Sequence, residues 1–438
     1  MSAVRLAPML LRPSTQGAAV LALPVVAFGV TSWLLGIVVG GARAFFTWTI
    51  PDAPLYQLLA VVALALLAVP LVTLGGSAAR LSARRRDDRL AALRLLGATS
   101  GTVLALAVAE ATMLTLVGAV LGVLGAAATS PLIGLIPFAG APLGTSALLP
   151  LTWSIALVVA VTLLAASSAL LSMRRVMVTP LGVARREQPA RVHWLVVVLA
   201  VAAVAVVAGA FSSFSSIGAA LGVLAMVVVL GIGFGIAMLV LNLLGPWILG
   251  VQARIQVRRA TTPARLIAAR TVLESPKAAW RQVGGVALVT FVGVIAGVGS
   301  ALMGDGAGGA DAILAGDIRT GLVITIVGSF LTVACTVGLQ QAAAILDGRA
   351  LSRALHHAGM DVATMDAARR WAVLSPLLLV VAVSAIAASA LVVPLLGMAL
   401  LFEPIAIVIT AGVVVAGVAI VAAGLLTTRP LLRRVATA

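Results

Sequence analysis

Residues able to do chemistry are scarce in this chain, and their contexts exclude more than they offer. Its histidines are His193, His356 and His357, its cysteine is Cys335 and its lysine is Lys277. A phosphate-binding nucleotide loop needs a glycine-rich turn ending in lysine, whereas Lys277 follows Ser275-Pro276. No HExxH pair is present for zinc, and no paired carboxylates share an apolar stretch as an aspartyl protease would need. One cysteine allows neither an internal disulfide nor a cysteine metal site. The chain is therefore expected to be no enzyme, with no catalytic, cofactor-binding or metal-binding residues of its own.

What remains points to mechanical work. The basic run from Arg80, RLSARRRDDRLAALRLLGATSG, places Leu90, Leu93 and Leu96 at i, i+3 and i+6, an apolar edge on a helix. Arg86, Arg89 and Arg94 project elsewhere, and Asp87 and Asp88 stand early, where a helix N-terminus favours acids. Gly97 can supply the left-handed turn that stops such a helix. Its apolar edge and arginines suit a coupling helix docked on a partner, or the run is a solvated basic loop needed only for topology.

The arm feeds a long apolar helix, TVLALAVAEATMLTLVGAVLGVLGA, in which Gly118, Gly122 and Gly125 allow close helix packing. Glu110 is the acid placed deep in that span, where an unpaired charge costs on the order of 3 kcal/mol. A packing or capping contact, proton coupling and substrate contact are all open to it.

These residues carry a resemblance. The run LRLLGAT (Leu93 to Thr99) after a charged turn, followed by a helix with Glu110, Gly118, Gly122 and Gly125, resembles the FtsX-like permease family. Its members are membrane subunits of ABC systems of the macrolide-exporter, lipoprotein-release and bacitracin-resistance type, and an acid near the position of Glu110 is common among them. The resemblance implies a permease driven by a separate cytosolic ABC ATPase. ATP and Mg would be bound by that partner, with no cofactor in this chain.

Composition sets the class. With 62% hydrophobic and 10% charged residues, most of the 438 residues must be apolar helix. Ten stretches can cross a bilayer of about 30 Å, at 17–40, 55–79, 101–128, 150–173, 194–211, 217–249, 282–303, 320–343, 371–398 and 404–427. With both termini cytoplasmic, 27 of the 29 Lys and Arg fall inside, leaving only Arg43 and Arg319 outside. That asymmetry, together with anionic inner-leaflet lipid, accounts for the net charge of +16 without nucleic acid. Trp194, Trp280 and Trp371 are expected as interfacial anchors, and the first span as an uncleaved anchor. External loops are short, at 41–54, 129–149, 212–216, 304–319 and 399–403, a departure from macrolide-exporter and lipoprotein-release permeases, which carry a large external domain.

An internal repeat organises the chain. Leu355 and Gly359, in RALHHAGMD, stand 262 residues after Leu93 and Gly97, with His356 where the first copy has Arg94. Leu10–Pro13 recurs at Leu273–Pro276 with an offset of 263, and Arg174-Arg175-Val176 recurs at Arg433-Arg434-Val435 with an offset of 259. The expected fold is all-α and polytopic, with about ten transmembrane helices in two four-helix repeats joined by a two-helix insert. Its parts are an interfacial amphipathic helix (1–16), a first repeat (17–186) with coupling segment 80–100, the insert (187–250), and a second repeat (251–438) with coupling segment 347–370. Two arms suit two copies of the ATPase per permease chain.

The expected function is a bacterial plasma-membrane permease subunit of an ABC transporter that moves or extracts an amphiphilic cargo, such as a peptide antibiotic, a drug or a lipid-linked molecule. The alternatives are a proton-coupled secondary transporter or flippase using Glu110, and a non-transporting permease that relays ATPase state mechanically.

Overall fold

The computed structural model describes residues 19–67, 71, 74, 100–178, 236, 239–304, 310–391 and 404–437. The interfacial segment 1–16, the first arm up to Thr99 and most of the insert lie outside them.

Runs of Ala, Leu, Val and Ile with few breakers make helices nearly everywhere. These are α1 (Ala19–Phe45), α2 (Ala53–Leu67), α3 (Ser100–Gly134), α4 (Leu151–Val178) and α5 (239–259). There follow α6 (Pro263–Glu274), α7 (Pro276–Gly304), α8 (Ala310–Asp347) and α9 (Arg349–His357). The last are α10 (Val362–Leu391), α11 (Pro404–Leu426) and α12 (Arg429–Thr437). Among the described residues seven helical stretches are long and apolar enough to span a bilayer, from Pro24–Phe45 to Ile407–Val435. The protein is an all-α, multi-pass membrane protein.

The chain falls into two compact units, Met1–Arg185 with Ala334–Asp347, and Arg186–Val333 with Gly348–Ala438. In the first, α1 packs on α3 through missing side chains. A Cβ on Gly118 would meet the Val25 carbonyl oxygen at 2.6 Å and Phe28 Cβ at 2.9 Å, and one on Gly122 would overlap the Gly29 carbonyl oxygen. A Cβ on Gly125 would lie 3.3 Å from Trp33 Cδ1, and the Trp33 indole donates to Thr129 Oγ1 at 3.0 Å. Ala27, Phe28, Ala119, Val161 and Ala165 form the core beside them, joined by Leu339 of α8.

At one end of this unit Phe45 stacks on Tyr56 and meets Trp48 and Phe138 edge-on. Here the expected loop 129–149 differs from the structure. Helix α3 continues to Gly134, and the chain then makes a hairpin from β1 (Pro137–Phe138) and β2 (Ala141–Pro142). Ala139 and Gly140, with φ of 52° and 79°, form the tight turn between the strands.

In the second unit, Phe291 of α7 and Ala388 of α10 are packed by Leu241 of α5 and by Val294 and Ile295. Gln252 of α5 donates to the Ser375 carbonyl at 3.0 Å, and the Gln256 amide Nε2 donates to the Ser375 hydroxyl at 2.6 Å. Both hold α10 beside Pro376, which it carries in its interior without an amide donor.

Three further boundaries differ from expectation. Helix α5 runs on to residue 259 past the expected span end at 249 and stops just before the Thr262 cap of α6. Helix α8 begins at Ala310, so Asp317 and Arg319 are helical, not in an external loop; the run ADAILAGDIRTG holds no proline and keeps its apolar residues in phase. Trp280 is no interfacial anchor. It is 8% exposed, lies against Gly245 and Gly284, and donates to Asn242 Oδ1 at 3.1 Å, because two glycines open a slot that fits its ring.

Candidate coupling site

Helix α9 is nine residues long and has no buried residue, so its own burial cannot hold it in place. Its stop is built into the chain instead. Gly359 adopts φ +90°, a region that side chains disfavour, and its N–H donates to the His356 carbonyl at 3.0 Å. The next amide, Met360, donates to the Leu355 carbonyl at 2.9 Å. Together these two bonds make the six-to-one and five-to-two pair of a Schellman stop.

Helix α10 starts at once. The Asp361 carbonyl accepts from Thr364 N at 3.1 Å and Met365 N at 3.2 Å. The segment 347–370 is thus a short helix and a tight turn, with residues 362–370 already belonging to the spanning helix.

Within α9, Leu355 and His356 are half-buried, and His356 Nδ1 lies 3.4 Å from the Met360 carbonyl. Leu351, which the sequence reading did not single out, is 65% exposed, and Arg349, Arg353 and His357 are exposed around it. Its signal was present in the sequence as the i, i+4 pair Leu351–Leu355. Arg353 Nε donates to the Val435 carbonyl of α12 at 3.4 Å, tying the arm to the last helix.

An ionic knot lies beside it. Asp366, in the second turn of α10, is 1% exposed, and its Oδ1 accepts from Arg369 Nη2 at 2.7 Å. Arg370 Nε is 3.0 Å and Arg429 Nε 4.0 Å from Oδ2. The other Arg369 amine donates to Thr428 Oγ1 at 2.6 Å. Through this carboxylate, α10 is fastened to the turn that begins α12. Asp366 was also missed, although Asp366, Arg369 and Arg370 show the i, i+3 and i+4 spacing of helical ion pairs.

Arg86, Arg89, Leu93, Arg94, Leu96 and Gly97 of the first arm lie outside the described residues. Glu110 is half-buried in α3 and has no basic partner among the described residues. Gly118, Gly122 and Gly125 sit in the α1–α3 contact described above. The structure therefore brings Leu355, His356 and Gly359 together in one arm. Among the described residues no group of histidine, cysteine and carboxylate side chains could hold a metal ion.

No curated protein gives a significant match to the chain. Residues 62–180, which include α3 and α4, match the FtsX-like permease C-terminal family. Over that stretch the chain is similar to the FtsX-like permeases, membrane subunits that work with an ABC ATPase.

Proposed function

We propose that this protein is the permease subunit of a bacterial plasma-membrane ABC transporter, with both termini in the cytoplasm. Two copies of a separate ATPase grip it, one at the segment 80–100 and one at α9. The observation that carries the reading is the build of α9: a short helix stopped by Gly359, tied to α12 through Arg353, with Leu351 turned outward among basic residues. An exposed leucine flanked by Arg349 and Arg353 suits a partner groove with an apolar floor and acidic walls.

The internal repeat extends the reading to the first half. Gly359 stands 262 residues after Gly97, and α10 opens at Val362, three residues after Gly359. Leu93 and Leu96 are then the anchors of the first arm, with Arg86, Arg89 and Arg94 setting register. Nucleotide binding draws the two ATPase copies together, the arms follow, and the helices they are fastened to move with them. ATP and Mg stay with the ATPase. The cargo is amphiphilic, a peptide antibiotic, a drug or a lipid-linked molecule, and family analogy alone supports that step.

The test is whether the tagged permease co-purifies an ABC ATPase from its native cells. Leu351→Asp together with Leu93→Asp should abolish the association while the permease stays folded. Cargo movement that persists without any ATPase and collapses with the proton gradient would instead assign the work to Glu110.

A further inference from the structure

An open cavity of about 530 Å³ separates the start of α6 from the first turns of α10, a few residues after the arm. Thr261, Thr262, Arg265, Thr364, Ala367 and Trp371 line it. Arg265 lies over the Trp371 ring, its guanidinium carbon 5.3 Å from the ring centre. Stacking of this kind occupies the face of the guanidinium and leaves its N–H edge for an anion. Among the described residues Arg265 has no carboxylate partner, and none of the residues lining the cavity is acidic.

Two more features define what fits. Arg258 and Arg259 close α5 just before the cavity, adding positive charge to its approach. Ile255, Leu266 and Ile267, on α5 and α6, are all exposed. Aliphatic side chains turned outward beside an arginine and a 39% exposed tryptophan describe an interfacial environment. The first turns of α10, which form the other wall, open the apolar stretch Val362–Ala390, which places the cavity where a spanning helix begins.

We infer that this cavity holds the phosphate headgroup of an anionic glycerophospholipid. Arg265 pairs with the phosphate while braced on Trp371, the hydroxyls of Thr262 and Thr364 serve the ester oxygens, and the acyl chains run beside Ile255, Leu266 and Ile267. A phosphate ester is the shared chemistry, and the exposed aliphatics favour the lipid over free phosphate. The site does not depend on the ATPase reading, since it needs only the permease.

The experiment is native mass spectrometry of the delipidated full-length protein, titrated with phosphatidylglycerol or with phosphatidylcholine of the same acyl chains. Phosphatidylglycerol should be retained in preference, because Arg258 and Arg259 disfavour the choline cation, and Arg265→Ala should lower its retention about fivefold, the effect of one interfacial cation. Trp371→Ala should lower it by a smaller factor, and millimolar inorganic phosphate should not compete. Equal retention by Arg265→Ala at an unchanged unfolding temperature overturns the proposal. Displacement by inorganic phosphate overturns it too, and assigns the cavity to a free anion. If Arg265→Ala does not fold, Arg265→Gln carries the same comparison.

Discussion

The two units solve the same problem by opposite means. In the first, α1 and α3 approach because Gly118 and Gly122 have nothing to keep them apart, and the Gly29 and Val25 carbonyls fill the space. In the second, the end of α10 beside the arm is fastened by charge, with Asp366 buried among Arg369, Arg370 and Arg429. Apolar helices gain little from burial against each other in lipid, so a dry contact must rely on close packing. An ion pair needs its partners aligned, and it transmits displacement along defined bonds. The contrast suggests a rigid pair in one unit and, in the other, a jointed attachment fit to receive a push.

Substitutions can break or sharpen that contrast. The largest effect is expected at Gly122→Val, which drives a side chain into the Gly29 carbonyl and should cost about 3 kcal/mol or more. Gly412→Ala in α11, where a Cβ meets nothing within 4 Å, should change stability by less than about 1 kcal/mol. Thermal unfolding in detergent compares them, and equal midpoints would remove close packing from the account of the first unit.

Next is Asp366→Asn, which leaves clustered guanidinium groups without their counter-charge. The loss should be about 2 kcal/mol, below that of a wholly buried pair because Arg370 and Arg429 reach water. A double-mutant cycle with Arg369→Met should recover part of it, whereas strict additivity would show that the two side chains do not act together.

Gly359→Ala should cost about 1.5 kcal/mol for forcing a side chain to φ +90°. That strain is confined to the turn, so hydrogen exchange should rise in α9 with α7 and α11 unchanged. Uniform acceleration would contradict an independently attached arm. The smallest effect belongs to Trp33→Phe, which loses the indole bond to Thr129 and should cost about 1 kcal/mol.

Much of this was legible in the sequence for identifiable reasons. The spans were visible because lipid demands long apolar runs, and the stop at Gly359 because it stands at the repeat spacing from Gly97, where a left-handed turn was expected. The glycines of α3 stood out by spacing, though their partners Val25 and Gly29 could not be paired with them from sequence. The continuation of α8 back through Asp317 and Arg319 was hidden because charged residues read as loop, yet a helix carries them when its apolar residues stay in phase. Trp280 was misread for a similar reason: its sequence position matches an interfacial anchor, and only the slot made by Gly245 and Gly284 shows that the ring turns inward. The Asp366 knot depends on α12 returning to the foot of α10, a long-range contact that local spacing does not encode.

The most direct test of the coupling account is a photocrosslinking residue at Leu351, read in native membranes beside a control at Ile386, an exposed residue within the span of α10. The account predicts that position 351 captures an ABC ATPase, identified by its nucleotide-binding peptides, and that position 386 does not. Capture from neither position, or equal capture from both, would contradict it.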